Sequence, residues 1–254
     1  MNLRASLRDR LGPYRVARIK RVIALSVRND LTRLGRFYGT NKVSATQQYG
    51  ALYERYLRHR RREALCILEI GVGGYQTGTG GSSLRMWRTY CPKSLVYGID
   101  IESRDLREPR IETFCGSQAD PEFLRSVVDR IGPPDLVVDD GSHRSEHVIA
   151  SFEVLFPLLA VGGLYVIEDT HRSYMPEFGG GPPGTGGTTM EFVKRLIDDL
   201  TRRRPDDCGA QPNAIHIYPR IVFVTKSLVR DRETVDDRFS LGLRGGAGTD
   251  LAPT

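Results

Sequence analysis

The 254-residue sequence is poor in the features that mark zinc-stapled, disulfide-built or membrane-embedded proteins. Its four cysteines, Cys66, Cys91, Cys115 and Cys208, are widely spaced and form no Cys-x-x-Cys pair, which argues against a zinc site and a disulfide scaffold. Cys66 and Cys115 lie in or at the ends of apolar runs and read as buried thiols. No apolar run approaches the roughly 20 residues that span a bilayer. The amino terminus carries no apolar core of a secretory signal, so the expected location is the cytoplasm. Acidic residues are scarce only at the start. Residues 1–36 hold ten Arg or Lys against Asp9 and Asp30, while the whole chain carries +6, so the remainder is mildly acidic. A basic surplus so confined reads as an arm with a solvated face, and nucleic acid is a weak candidate partner for the body.

What is present is a soluble composition, 39% hydrophobic and 27% charged, and a regular alternation of strand and helix patterns. Between Tyr14 and Leu34 apolar residues recur at helical spacing, with Gly35 as the expected stop, so residues 1–35 read as a basic amphipathic arm. Its apolar stripe needs cover from the body or from a second copy, which suggests a homodimer or higher homo-oligomer. A second helix is expected over Thr46 to Arg62, with Tyr49 and Tyr53 as candidate pocket walls. The apolar runs at Ile67–Ile70, Leu95–Ile99, Ile111–Cys115, Leu136–Val138 and Leu164–Ile167 alternate with helical stretches, the pattern of a parallel doubly wound sheet. Ala214–Tyr218 and Ile221–Thr225 read as a closing antiparallel hairpin. Residues 36–230 are the expected catalytic body, with the Gly- and Pro-rich stretch 174–187 as a candidate lid and 231–254 as a disordered tail.

The chemistry gathers at strand ends. Leu136–Val138 stops on Asp139 and Asp140 and continues into Gly141, Ser142 and His143; the next strand stops on Glu168 and Asp169. Open α/β sheets bind ligands at this carboxyl edge. Four carboxylates crowded there raise one another's pKa unless a cation compensates them, which points to a divalent metal. The competing reading, that Asp139 or Asp140 merely caps the following helix, accounts for one acidic strand end but not for two beside a histidine. At the first strand, Glu69 leads into Gly71, Val72 and Gly73, a loop that lets a ligand approach the backbone. A dinucleotide fingerprint would need a third glycine at 76, where the chain has Gln. Asp100, at the end of the second strand, is placed to accept hydrogen bonds from ribose hydroxyls. Ser117 and Gln118, after the third, can reach an adenine edge.

These strings, LEIGVGGYQTGTGGSSLRMW, LVYGID, DLVVDDGSH, GGLYVIEDT and IHIYPRIVFVTK, resemble the magnesium-dependent sugar O-methyltransferases of actinobacteria, which tailor macrolide sugars and mycobacterial methylated mannose and rhamnose glycans. The resemblance runs from about Arg36 to Lys226. It implies a class I S-adenosylmethionine methyltransferase fold, Rossmann-like, with a mostly parallel seven-stranded sheet. It also implies that Thr40, Glu69, Gly71, Gly73, Asp100, Ser117, Gln118 and Asp139 serve the cofactor. By the same resemblance Asp140, Glu168 and Asp169 would hold Mg²⁺ and His143 would be the general base. The chain departs from the pattern at Asn41, where relatives often carry an acid. The expected reaction is methyl transfer from S-adenosylmethionine to a sugar or glycan hydroxyl, with a methylated mannoside or rhamnoside ahead of a macrolide deoxysugar. A catechol-type O-methyltransferase is the alternative enzyme, since catechols also chelate Mg²⁺ through adjacent oxygens. A nucleic-acid-binding protein or RNA modifier is the alternative of another class; it leaves the carboxylate crevice unexplained, because carboxylates repel phosphates.

Overall fold

The computed structural model describes residues 18, 19, 22–73, 80–104, 106, 108–202 and 211–226. Most of the basic arm, the centre of the glycine loop, Cys208 and the expected tail lie outside these residues.

Seven strands form one sheet in the order β3-β2-β1-β4-β5-β7-β6. They are β1 (Cys66–Ile70), β2 (Leu95–Asp100), β3 (Ile111–Cys115), β4 (Leu136–Asp139), β5 (Leu164–Glu168), β6 (Pro212–Tyr218) and β7 (Ile221–Lys226). The first five are parallel, and β7 enters antiparallel between β5 and β6 to close the sheet as a hairpin. The order reverses at β1, whose two neighbours are β2 and β4. A crevice opens at such a switch point, outside the carboxyl ends of the strands. The central strands are buried on both faces, as crossover helices on each side require: all four residues of β4 and all five of β5 are buried. This is the class I S-adenosylmethionine methyltransferase fold.

Helices fill both faces. On one lie α1 (Leu31–Tyr38), α2 (Tyr49–Leu57) and α3 (Ser82–Tyr90), whose Leu31, Leu34, Tyr49, Tyr53, Leu84 and Trp87 join the core under β1. On the other lie α4 (Pro121–Ile131), α5 (Ser145–Leu158) and α6 (Thr189–Arg202), contributing Leu124, Val127, Phe152, Leu155, Phe192 and Val193. The expected long helix through Leu34 is broken. Residues 22–26 are helical, a turn follows, and Asp30 then caps α1 by accepting from the Arg33 amide at 2.8 Å. That cap contributes on the order of 1 kcal/mol. The helix passes through Gly35 and ends at Gly39, whose left-handed backbone (φ 76°) suits a residue without Cβ. Gly35 instead lets α1 approach the following segment, since a Cβ there would lie 2.6 Å from the Val43 methyls. Leu31 and Leu34 are fully buried, so the boundary expected between residues 35 and 36 falls inside an element of the core. Burial of each contributes about 1.5–3 kcal/mol.

Two further expectations are corrected. The helix expected over Thr46–Arg62 is shorter, starting after Gln48, which adopts left-handed backbone. Cys115 is exposed rather than buried, because it ends β3, the edge strand, while Cys91, for which no environment was expected, is buried. Among the described residues no helix is long and apolar enough to cross a membrane. Ile19, Val22, Ile23 and Leu25 leave apolar side chains exposed ahead of α1.

Candidate active site

β4 and β5 are register neighbours, Asp139 beside Ile167, so the residues that follow each strand emerge side by side at the carboxyl edge. Two of them, His143 (φ 57°) and Asp169 (φ 52°), hold left-handed backbone that non-glycine residues seldom adopt. Strain of this kind persists where the surroundings fix it and is common at functional sites. Gly71 closes the third side. Its Cβ would sit 2.2 Å from the Asp140 carbonyl oxygen, so only glycine lets the β1 loop and the β4 loop touch.

The acids are arranged with one oxygen anchored and one turned away from its anchor. Asp140 Oδ2 accepts from Lys42 Nζ at 2.7 Å. Glu168 Oε1 accepts from Tyr53 at 2.5 Å and from Lys42 at 2.9 Å. Asp169 Oδ1 accepts from Gln47 Nε2 and from Tyr49, both at 2.9 Å. Of the other oxygens, Glu168 Oε2 is buried with no hydrogen-bond partner. Asp140 Oδ1 and Asp169 Oδ2 face His143 Nε2 at 3.8 and 3.9 Å, beyond hydrogen-bond reach. Donor atoms of Asp140, His143 and Asp169 lie within 4.8 Å of one another, a spacing that suits one ion. Glu168 stands outside that group, a difference from the expected ligand set with a clear cause: Lys42 and Tyr53 hold it back through Oε1. Its orphaned Oε2 is nevertheless a polar atom without a partner, and hard oxygen donors suit a hard divalent cation. The residues present therefore fit magnesium.

The charge states follow from burial and neighbours. Burial alone would push the Lys42 ammonium down, but Asp140, Glu168 and Glu69 override it and hold the group well above its ordinary value. Burial raises Glu168, with Lys42 partly offsetting it. Burial would also raise Asp169; the hydrogen bonds from Gln47 and Tyr49 prevail and hold it below the usual carboxylate range. Burial lowers His143, against the pull of Asp140 and Asp169, which leaves a neutral imidazole at neutral pH. Phe178 stands edge-on to that imidazole at 6.3 Å, and Arg172 lies 4.3 Å over the same phenyl ring. The stretch 174–187 is thus folded beside the acids, with a 3₁₀ turn at Pro176–Phe178.

Next to the acids, a cavity of about 340 Å³ is lined by Gly71, Asp100, Ser117, Gln118, Ser142 and His147, among others. Asp100 is fixed by the amides of Val72 and Glu102, each 3.0 Å from one of its oxygens. Gln118 is fixed by donating to Asp139 and accepting from the Ser142 amide at 2.7 Å. Thr40, Glu69, Gly73 and Asp139, also expected to serve the cofactor, are not among the residues that line this cavity. Thr40 accepts from the Lys42 amide. Both Glu69 oxygens are used internally, by Ser83 at 2.6 Å and Trp87 Nε1 at 2.5 Å, with Lys42 at 3.3 Å. Asp139 is buried beneath Ser151, Tyr165 and Gln118, and burial pushes it up to about 6. Neither aspartate caps α5, whose preceding residue, Arg144, makes no side-chain cap. Tyr49 and Tyr53 are likewise buried supports rather than pocket walls. Sequence reasoning missed Lys42, a side chain of 1% exposure among three acids, and Gln47. Its only signal was an unmatched charge in a turn.

Comparison with known proteins fits this arrangement. Residues 65–206 match the family model "Rhamnosyl O-methyltransferase/CmcI", and the chain belongs to that family. It is 42% identical over 221 residues to the 8-demethyl-8-alpha-L-rhamnosyl tetracenomycin-C 2'-O-methyltransferase of Streptomyces olivaceus, covering 82% of this chain and 58% of that protein. It is 41% identical to the demethylmacrocin O-methyltransferase of Streptomyces fradiae, covering 80% and 54%. A solved structure of the mycinamycin-pathway methyltransferase MycE, in complex with Mg, SAH and mycinamycin VI, superposes with a TM-score of 0.73 at 41% identity, covering 78% of this chain and 53% of that one. The chain spans a little over half the length of these relatives.

Proposed function

We propose that this protein transfers the methyl group of S-adenosylmethionine to a hydroxyl of a sugar, with Mg²⁺ at the acidic cluster. The observation that carries the reading is the set of oxygens on Asp140, Glu168 and Asp169 turned away from their anchors, beside a neutral His143. Magnesium bound there would supply a Lewis acid that orients and acidifies adjacent hydroxyls, while the cofactor supplies an activated methyl group. Asp140 and Asp169, with Glu168 behind them, would hold the ion. Gly71, Asp100, Ser117 and Gln118 would form the wall against the adenosine moiety. A sugar hydroxyl is a poor nucleophile until its proton has somewhere to go, and His143 Nε2, which faces the acids, would accept that proton as the oxygen attacks. The segment 174–187, with Phe178 beside His143, would cover the acceptor and exclude water.

The relatives are named for rhamnosyl and olivosyl acceptors attached to larger aglycones, which favours a deoxysugar, rhamnose included, on such an aglycone over a mannoside or a glycan acceptor. Incubation with labelled S-adenosylmethionine, in Mg²⁺ and in EDTA, against rhamnosides, olivosides, mannosides and catechol tests the reading. Label in a glycoside only with Mg²⁺ supports it, and label in catechol alone overturns it.

A further inference from the structure

Lys42 has no place in the chemistry above, yet its ammonium is paired with two acids of the cluster, Asp140 and Glu168, and with Glu69 behind them. It lies 2.7 Å from Asp140, 2.9 Å from Glu168 and 3.3 Å from Glu69, with its side chain 1% exposed. A buried lysine is costly unless paired, and this one is paired on three sides. The turn carrying it is pinned: Thr40 caps Asn41–Val43, and Val43 is buried against Gly35 and Gly50 of the flanking helices. The ammonium therefore cannot swing to solvent without unpacking that turn.

The geometry points to Lys42 as a resident counter-cation that neutralises Asp140 and Glu168 when no metal is bound and holds metal affinity down when one is. The inference rests on the metal reading given above. Lys42 grips the inner oxygens, Asp140 Oδ2 and Glu168 Oε1, so that the remaining oxygens of the same carboxylates are left for a second cation. Two positive centres then share the Asp140 carboxylate, with Glu168 close behind it, and each lessens the field available to the other. A lysine serving only to support the fold would leave metal affinity unchanged on removal, or weaken it by loosening the ligands. A counter-cation makes the opposite prediction.

The experiment is calorimetric titration of the metal-stripped full chain with Mg²⁺ at pH 8.5, for the wild type and for Lys42→Gln and Lys42→Met, with melting temperatures in EDTA and in Mg²⁺. Neutral replacements are expected to bind Mg²⁺ about tenfold or more tighter, to melt lower in EDTA, and to gain more in melting temperature from Mg²⁺ than the wild type does. Unchanged or weaker binding overturns the inference while leaving the metal reading intact. Absence of Mg²⁺ binding to the wild type removes the metal reading itself. Variants that fold only in Mg²⁺ support the inference, since the ion then replaces the missing charge. If neither variant folds in either condition, ¹⁵N-lysine spectra of the wild type decide. The slowly exchanging signal of the buried ammonium must move on addition of Mg²⁺, and a stationary signal overturns the counter-cation role.

Discussion

Tyr49 and Tyr53, one helical turn apart on α2, donate their hydroxyls to successive residues of the chain, Tyr49 to Asp169 at 2.9 Å and Tyr53 to Glu168 at 2.5 Å. The i, i+4 spacing puts both phenols on one buried face, and each takes one oxygen of its acid. Helix α2 is therefore a jig for the β5 end, a role that explains why two tyrosines are fully buried beside carboxylates. Tyr53→Phe should leave Glu168 held by Lys42 alone. A loss of about 1–3 kcal/mol in stability, read from urea unfolding, is expected from the removed hydrogen bond to a charged group.

His143→Ala should lower kcat by about 10²–10⁴ while leaving S-adenosylhomocysteine affinity nearly unchanged. The cofactor wall and the imidazole are separate surfaces, so the two measurements, turnover and calorimetric binding, should diverge. A rate within a few fold of wild type would transfer the base assignment to His147, in the first turn of α5.

The pH profile has a definite sign. Burial holds His143 below the ordinary imidazole value of 6.5, so the base stays neutral down to that pH and is lost only as pH falls further. The acid limb of kcat should therefore lie below pH 6.5 and disappear in His143→Ala. Stability carries the same sign. A depressed pKa means that protonation opposes the fold, so this contribution is complete above 6.5 and is lost as pH falls through the folded-state value.

S-adenosylhomocysteine should bind in EDTA, whereas turnover should require Mg²⁺. Asp100 and Gln118 are positioned by backbone amides and by Asp139, with no part played by the Asp140, His143 and Asp169 group. Calorimetry in EDTA decides, and silence there would show that the two sites are one.

Thiol labelling separates the cysteines. Burial pushes Cys66 up to about 12 and Cys91 up to about 11, whereas Cys115 is exposed. At pH 8 a maleimide should modify Cys115 well ahead of Cys66 and Cys91 in the native protein, with mass spectrometry of the peptides as the readout.

The sheet was legible because parallel central strands write themselves as short β-branched runs. The runs at Leu136–Val138 and Leu164–Ile167 became β4 and β5, each extended by one acidic residue. Site acids were legible for the same reason, since a carboxylate that ends an apolar run is placed by the strand. What could not be read was partnership. Lys42 comes from a turn 98 residues away from Asp140 in sequence, and Glu69 is claimed by Ser83 and Trp87 on a different element. Periodicity carries no record of such long-range pairing. The break before α1 was hidden because Asp30 sits within a continuous helical stripe, where a cap and a solvated position look alike.

Trp87, the sole tryptophan, is fully buried with its indole N–H on Glu69, which in turn lies against Lys42. An indole so placed makes the molecule its own spectroscopic probe. Its emission should be blue-shifted in the native state, red-shifted on unfolding, and sensitive to the electric field of the neighbouring charges. Titrations of the acidic cluster can thus be followed in unlabelled protein by a single chromophore, with no competing tryptophan signal to subtract.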